Sequence, residues 1–249
     1  MKTVLITGCS SGFGLEIARC FLDRAWKVIA TMRTPREDIL PSSENLRILA
    51  LDVTEPESIR RAIEDAGPID MLVNNAGIGW LNALEGTSMD TLRHIFETNT
   101  LGTMAMTQAV LPQFRQRKGG IIVNVTSSVT LKPLPLLSVY TASKAAVNAF
   151  TEVLALELAA FDIRAHLVIP GRAPETRFSE TARSSVHSRG GFPEAYSGLV
   201  QSVFAGWEQQ RSSAATRPLD VAEAVWRAAT EPFSPLRIPA GADAVALAG

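Results

Sequence analysis

Residues 3–14 read TVLITGCSSGFG, an apolar, β-branched run followed by a turn with glycines at 8, 12 and 14. The next segment, LEIARCFL at 15–22, repeats apolar residues at helical spacing. A strand, a glycine turn and a helix in this order place main-chain N–H groups where a pyrophosphate can bind. The glycine spacing departs from the G-x-G-x-x-G dinucleotide fingerprint. A tight turn without a ligand is therefore the alternative for the glycines alone.

The segment YTASK at 140–144 places a tyrosine and a lysine four positions apart, thirteen residues after Ser127. On a helix these two residues share a face, so we expect the ammonium of Lys144 to lower the pKa of the Tyr140 phenol. A tyrosine with its ordinary pKa of about 10 is a poor acid or base near neutrality. Ser127 can hold a substrate oxygen against that phenol. A surface pair on any helix would give the same spacing.

Regular alternation of short apolar runs and helical patterns predicts the fold class. Strands are predicted at 3–7, 27–32, 47–52, 70–74, 120–126 and 163–169. Helices are predicted near 14–25, 55–66, 88–117 and 139–160. Nearly all-apolar strands in this order indicate an α/β protein with a Rossmann-type doubly wound parallel sheet, buried on both faces. We expect a single domain over 1–249, with a helical or loop lid over the active site at about 173–218.

Composition and charge agree with a soluble cytoplasmic enzyme. Hydrophobic residues make up 46% of the chain and the net charge is −1, so neither nucleic acid nor an anionic membrane is an evident partner. No apolar run approaches the ~20 residues that span a bilayer, and no targeting segment is expected at the N-terminus. The three histidines lack ligand spacing, so no metal site is expected. Cys9 and Cys20 are predicted to be reduced core thiols.

Five motifs occur in the order and spacing of one known family. They are TGxxxGxG at 7–14, NNAG at 74–77, Asn99, Ser127 and YxxxK at 140–144. On these motifs the chain resembles the single-domain short-chain dehydrogenase/reductases from Thr3 to about Gly171, and more weakly beyond. The resemblance implies reversible hydride transfer between a nicotinamide and a carbonyl or secondary alcohol, with Tyr140 as general acid or base. The catalytic residues that it implies are Asn99, Ser127, Tyr140 and Lys144.

The motifs follow the predicted strands, where ligands bind in open α/β sheets. The predicted cofactor-binding residues are Gly8, Ser10, Ser11, Gly12, Phe13, Gly14, Arg33, Asp52, Val53, Asn75, Ala76, Gly77, Tyr140, Lys144, Pro170, Gly171 and Thr176. The resemblance implies that Asp52 contacts the adenine amine of the cofactor. The alternative is that Asp52 is a solvated loop carboxylate without a ligand. Asn74 is expected to stabilise the sheet. Asn99 is expected to kink the 88–117 helix and to hold a water in a proton relay to Lys144.

The segment after Pro170-Gly171 departs from the family pattern. Relatives usually carry a threonine five residues past that proline, where it meets the nicotinamide amide. Here Glu175 takes that place and Thr176 follows it. The contact of Thr176 with the nicotinamide is therefore open.

Cofactor choice depends on the end of the second predicted strand, VIATMR at 28–33. A carboxylate at this point binds the ribose 2′-hydroxyl of NAD, but here Met32 takes its place and Arg33 follows. Arginine suits phosphate recognition, so NADP (as NADPH) is predicted to be preferred, with NAD possible. Arg33 as a solvated loop charge is the alternative. Some members also carry a basic residue at the position of Ser11, which this chain does not.

The expected substrate is a small lipophilic ketone or alcohol. Apolar residues flank the predicted pocket: the run at 131–137, Trp80, and Phe178, Phe192 and Trp207 in the lid. The alternative is that these side chains pack the lid against the body of the protein. Members with a similar glycine turn and ATMR segment act on steroids, retinoids and other lipophilic alcohols, an analogy only.

A homodimer or homotetramer is also predicted. The 139–160 helix is small or apolar on most sides, although a helix on a sheet needs only one apolar stripe. By the resemblance, this helix and the 88–117 helix pair across a two-fold axis. Two other functional interpretations stay open: a non-catalytic dinucleotide-binding sensor or interaction protein on the same fold, and an NAD-preferring alcohol dehydrogenase.

Overall fold

The computed structural model describes residues 1–174, 190–209 and 214–249. Within these residues seven strands form one parallel sheet in the order β3-β2-β1-β4-β5-β6-β7. The strands are β1 (Thr3–Ile6), β2 (Lys27–Met32), β3 (Leu46–Ala50), β4 (Met71–Asn74), β5 (Gly120–Val125), β6 (Ile163–Pro170) and β7 (Arg237–Ala240).

Helices flank the sheet, as the alternating pattern predicts. The described α-helices are α1 (Gly12–Asp23), α2 (Pro56–Ala66), α3 (Met89–Phe96), α4 (Gly102–Arg117), α5 (Ser138–Leu158), α6 (Ser197–Gln209), α7 (Pro218–Thr230) and α8 (Ala242–Ala248). The prediction of a Rossmann-type doubly wound parallel sheet is confirmed. Within the described ranges, no helix has both the length and the apolar character needed to cross a bilayer.

The sheet separates two apolar cores, because successive side chains of a strand point to opposite faces. In β1, Val4 and Ile6 belong to the core shared with α1 and α7. Leu5 belongs to the core shared with α2, α4 and α5. All three side chains are fully buried. Burial on both faces is the reason why the strands read as continuous apolar runs in the sequence.

The structure differs from the predicted elements in two places. A π-helical segment, Glu97–Leu101, separates α3 from α4, so the 88–117 helix is irregular at the position predicted for Asn99. Such segments are frequent at functional sites. In the C-terminal third, where no element was predicted beyond 163–169, β7 is the last strand at one edge of the sheet, α7 packs against α1, and α8 follows β7.

The cysteines and the buried histidine belong to the core. Cys9 and Cys20 are free and buried, as predicted, and burial raises the pKa of Cys9 to about 12 and that of Cys20 to about 11. His166 lies buried in β6 with Nδ1 2.9 Å from the Pro235 carbonyl oxygen. In the part of the chain that the structure describes, no group of three or more His, Cys, Asp or Glu is placed to bind a metal ion.

Strand order reverses between β1 and β4, and this reversal positions the site. From β1 the chain runs outward to β3 on one side and, from β4, outward to β7 on the other. Ligands bind in the crevice at the carboxyl ends of strands at such a switch point. The glycine turn follows β1, Asn75 follows β4, and Ser127 lies two residues past β5.

Candidate active site

The glycine turn between β1 and α1 allows a close approach of main chain. Gly8 and Gly12 have positive φ angles of 75° and 60°, which favour glycine. A side chain at Gly14 would collide with the Gly8 carbonyl. At the N-terminus of α1, Ser11 makes no side-chain cap, so the first-turn N–H groups need another acceptor. These features fit a pyrophosphate at the start of α1.

The loop after β4 is bound to this turn by Asn75. Its Nδ2 donates to the carbonyl oxygens of Thr7 at 2.9 Å and Gly8 at 3.1 Å. Thr7 Oγ1 accepts from the N–H groups of Asn75 at 3.0 Å and Ala76 at 2.9 Å. The predicted cofactor loop and the glycine turn therefore form one rigid wall of the crevice.

Asn74 points into the protein beneath that wall. Its Nδ2 donates to Asn124 Oδ1 at 2.9 Å on β5 and to Thr107 Oγ1 at 3.1 Å on α4. Asn124 in turn donates to Thr151 Oγ1 at 2.8 Å on α5. The predicted role of Asn74 in stabilising the sheet is confirmed by these contacts.

Ser127, Tyr140 and Lys144 come together at the end of β5. Tyr140 and Lys144 lie one turn apart on α5, and each is only 5% exposed. The phenol of Tyr140 is hydrogen-bonded to the side chain of Ser127. Lys144 Nζ donates to the Val125 carbonyl oxygen at 3.0 Å. The geometry thus brings together three of the four residues predicted to be catalytic.

Burial dominates the electrostatics of this group. It raises the pKa of the Tyr140 phenol to about 12, and the hydrogen bond with Ser127 offsets only part of that rise. Burial also lowers the pKa of Lys144 to about 8. The prediction that Lys144 lowers the Tyr140 pKa is wrong for this geometry, because desolvation disfavours both charged forms and the lysine donates to a main-chain carbonyl.

The fourth residue, Asn99, is fully buried in the π-helical segment. Its Oδ1 accepts from the Ile78 N–H at 2.8 Å, and its Nδ2 donates to the Ile78 carbonyl at 2.9 Å and to Ser143 Oγ at 3.1 Å. Ser143 Oγ donates to the Tyr140 carbonyl oxygen at 2.7 Å. Asn99 therefore joins the loop after β4 to α5. Sequence reasoning missed Ser143, whose signal was its place inside YTASK.

Gly77 lies where the loop after β4 approaches this cluster. A side chain at Gly77 would stand 3.2 Å from Asn99 Oδ1 and 3.3 Å from Lys144 Nζ. Contacts of that length are tighter than most real contacts of a Cβ atom, so a neighbouring atom would have to shift by a few tenths of an ångström. A side chain at this position would therefore crowd both the Lys144 ammonium and the Asn99 side chain.

The predicted adenine side of the site lies at the ends of β2 and β3. Asp52 Oδ1 accepts from Thr54 N at 3.0 Å and Thr54 Oγ1 at 2.7 Å. Partial burial raises the pKa of Asp52, but these hydrogen bonds and the nearby charge of Arg33 outweigh it and lower the pKa overall. Val53 is half-buried, Met32 is buried and Arg33 is exposed. The arginine predicted to choose the cofactor thus stands at the rim of the site.

The remaining predicted cofactor residues lie around the crevice or outside the described chain. Ser10 is exposed and Phe13 is half-buried beside the glycine turn. Pro170 ends β6, and the N–H of the next residue, Gly171, donates to Thr216 Oγ1 at 2.9 Å. Thr176, like Glu175 and Phe178, lies outside the described residues.

The aromatic residues assigned to a substrate pocket pack against one another. Trp80 is 3% exposed, and its Nε1 donates to Thr87 Oγ1 at 2.9 Å. Phe204 lies 6.1 Å from Phe192 and 5.5 Å from Trp207, ring centre to ring centre. These side chains share an apolar cluster with residues 136 and 137. The alternative interpretation therefore holds for Trp80, Phe192 and Trp207: they pack residues 190–209 against the body.

Asn82 binds residues 190–209 to the body of the protein, and it was not identified from the sequence. It is 1% exposed, and its Nδ2 donates to the carbonyl oxygens of Gly86 at 3.1 Å and Gly191 at 3.0 Å. A side chain at Gly86 would stand 2.7 Å from the Pro193 ring. The described part of 173–218 is therefore docked on the loop after β4.

The fold and this side-chain cluster define the class of Rossmann-type α/β oxidoreductases. A family model described as short chain dehydrogenase matches residues 2–186. The chain belongs to that family.

Relatives among characterised and uncharacterised proteins agree. The chain is 35% identical over 252 residues to the uncharacterized oxidoreductase YusZ of Bacillus subtilis, covering 96% of this chain and 89% of that protein. It is 38% identical over 182 residues to retinol dehydrogenase 8 of Bos taurus, covering 68% of this chain and 58% of the relative. The match therefore spans somewhat more than half of the retinol dehydrogenase.

Solved structures show the same architecture. A short-chain dehydrogenase from Streptomyces avermitilis superposes with a TM-score of 0.82 at 33% identity, covering 99% of this chain and 90% of the other. The closed form of a serine dehydrogenase complexed with NADP+ superposes with a TM-score of 0.81 at 29% identity, covering 96% of this chain and 94% of the other. A 3-ketoacyl-(acyl-carrier-protein) reductase from Brucella melitensis complexed with NADH superposes with a TM-score of 0.77 at 26% identity, covering 96% of each chain.

Proposed function

We propose that this protein is an NADP-dependent oxidoreductase that transfers a hydride between the nicotinamide and a carbonyl or secondary alcohol. The observation that carries the proposal is the buried hydrogen bond between Tyr140 and Ser127, one helical turn from Lys144, at the carboxyl edge of the sheet. Asn99 completes the set by fixing α5 to the loop after β4.

In this proposal Tyr140 is the proton donor in carbonyl reduction. Burial raises its pKa to about 12, so the phenol is protonated at neutral pH, and it can give that proton to the developing alkoxide because the alkoxide is the stronger base. The Ser127 hydroxyl holds the carbonyl oxygen beside the phenol. NADPH would supply the hydride to the carbonyl carbon, while the protein supplies position and field.

The cofactor proposal rests on the end of β2. Exposed Arg33 offers a guanidinium for a 2′-phosphate, and buried Met32 stands where a carboxylate would select NAD. The solved relatives include complexes with NADP+ and with NADH, so the family alone does not decide. NADPH is therefore the preferred cofactor on the strength of Arg33, and NADH is the weaker one.

A lipophilic ketone or alcohol is the proposed substrate, and the protein is proposed to act in the cytoplasm. Retinol dehydrogenase 8, by its name, acts on a lipophilic alcohol. Leu131 and Leu134 lie between Ser127 and Tyr140 in the sequence and are half-buried. They do not belong to the packed aromatic cluster, so they are available to contact an apolar substrate. The lid role of 173–218 is part of the same proposal.

Turnover of a panel of lipophilic ketones and alcohols, each with NADPH, NADP+, NADH and NAD+, tests the function. We expect reduction of at least one apolar ketone with NADPH as the better cofactor. A parent protein that binds NADPH tightly but turns over nothing in a broad panel would contradict the proposal and support the sensor interpretation. Better turnover with NADH would overturn the cofactor assignment alone.

A further inference from the structure

The carboxyl end of β6 is tied to the C-terminal helix by two polar side chains. Asp243 is the second residue of α8, and its Oδ2 accepts from the Arg172 N–H at 2.6 Å. Its Oδ1 accepts from Thr216 Oγ1 at 2.7 Å. Thr216 Oγ1 itself accepts from the Gly171 N–H at 2.9 Å, and the Thr216 N–H donates to the Arg172 carbonyl at 2.8 Å. Three separate segments meet in this clamp.

The packing of the clamp depends on two glycines. A side chain at Gly171 would collide with the Asp243 carboxylate. Gly241, between β7 and α8, has a φ of +93°, and a side chain there would collide with Thr216. Thr216 is 1% exposed. Such close approach and burial leave the main chain at 170–172 little freedom to move.

The clamp holds a segment that the proposed function needs. Pro170 ends β6 and Gly171 follows it, at the same edge of the sheet as Ser127. Both are predicted cofactor-binding residues, and here they are taken to border the nicotinamide. The N–H of Gly171 is already engaged, so this turn meets a ligand with its shape and its remaining main-chain groups rather than with that donor.

We propose that Asp243 and Thr216 are positioning residues for the nicotinamide half of the cofactor site. Neither touches the cofactor; they act through Pro170 and Gly171, whose place they fix. The proposal rests on the proposed function, because it assumes that a nicotinamide lies beside this turn. The proposal also gives a functional role to the C-terminal segment, which contains no recognised sequence motif.

The chemistry of the clamp predicts which substitution it tolerates. In Asp243→Asn, Oδ1 can still accept from the Arg172 N–H. The amide Nδ2 can donate to Thr216 Oγ1, provided that the hydroxyl turns its proton to the Ala240 carbonyl, 2.9 Å away. Asp243→Ala removes both acceptors. Thr216→Val keeps the shape of the side chain and removes the hydroxyl.

The experiment compares two ligands that share the adenine half of the cofactor. NADPH and adenosine 2′,5′-bisphosphate are titrated by calorimetry into the parent and the variants, after circular dichroism has shown that each is folded. In Asp243→Ala and Thr216→Val we expect NADPH to bind at least ~10-fold more weakly, whereas the bisphosphate changes by less than about 2-fold. Asp243→Asn should stay within about 3-fold of the parent for both ligands. Val245→Ala, exposed on the same helix, is the matched control and should bind both as the parent does.

Unchanged NADPH affinity in Asp243→Ala would overturn the proposal. Equal loss of both ligands would also overturn it, because it would show a general structural role. A folded parent that binds neither ligand would instead remove the proposed function, and the positioning role with it. Binding is the readout, so the result does not depend on finding a substrate.

Discussion

At the scale of single residues, the site combines two buried groups whose charged forms are both disfavoured. Tyr140 has a pKa of about 12 and Lys144 of about 8. The folded chain holds the Lys144 proton less tightly than an unfolded chain, in which the pKa is near 10.5. The unfolded state therefore binds more protons between these values, and raising the pH through this window stabilises the fold. Below a pH of about 8 Lys144 keeps its charge, which its proposed contact with the cofactor requires.

Cofactor affinity should report the titration of Lys144. We propose, as the family resemblance implies, that this ammonium hydrogen-bonds the nicotinamide ribose. It loses a proton as the pH rises through its pKa of about 8. We expect NADPH affinity to be flat just above neutral pH and then to fall, by at most about tenfold per pH unit. Fluorescence titration measures it. Lys144→Met should lack this fall in affinity. Lys132→Met is the control, because it removes a nearby exposed lysine, and it should keep the fall. A parent protein whose NADPH affinity does not fall in this pH range would contradict the proposed contact of Lys144 with the cofactor.

Arg33 should decide between the two cofactors. Arg33→Ala removes a charge-assisted hydrogen bond to the 2′-phosphate, worth roughly 1.5 to 3 kcal/mol. NADPH should then bind at least ~10-fold more weakly, while NADH changes little. Arg61→Ala, which removes an exposed arginine from α2, serves as the control for a change in overall charge. Equal losses for both cofactors would show that Arg33 is structural.

At the scale of elements, α5 presents two different faces. One carries Tyr140, Lys144, Leu154 and other buried residues against the sheet. The opposite face is exposed and almost entirely apolar, with Ala142, Ala145, Ala149, Val153 and Leu156 at helical spacing. The sequence could predict this second face because it needs only a periodic pattern. It could not predict the packing of Trp80 and Phe204, because contacts between distant segments leave no local signal.

The exposed face of α5 is expected to be covered by a second copy of the chain. Val153 is 57% exposed and Leu156 is 79% exposed, which is costly for large apolar side chains in water. Light scattering at micromolar concentration should show a dimer or tetramer. Leu156→Glu should shift it towards smaller species, whereas Phe233→Glu, at a 99% exposed residue elsewhere, should not. A parent protein that light scattering shows to be only monomeric at micromolar concentration would contradict this prediction.

At the scale of the whole molecule, the reversal of strand order gathers residues that are far apart in sequence. The glycine turn, the loop after β4, Ser127 and the Tyr140 helix meet at one edge because all strands run parallel. The motifs therefore predicted most of the site. They could not predict Asn82, Thr216 or Asp243, since each is a lone polar residue whose role comes from the fold. Nor could they predict that burial, rather than the charge of Lys144, would dominate the Tyr140 pKa, because burial depends on the complete core.

The most direct test of Tyr140 as the proton donor is Tyr140→Phe, measured for NADPH binding by fluorescence titration and for turnover of a ketone found in the panel. The ring keeps its packing and the proton donor is lost, so NADPH affinity should stay within about 2-fold and turnover should fall by ~10²–10⁴. Lys144→Ala should lose both binding and turnover, because its ammonium serves the cofactor as well. Unchanged turnover in Tyr140→Phe would contradict this role, since it would show that the reaction proceeds without the proposed acid.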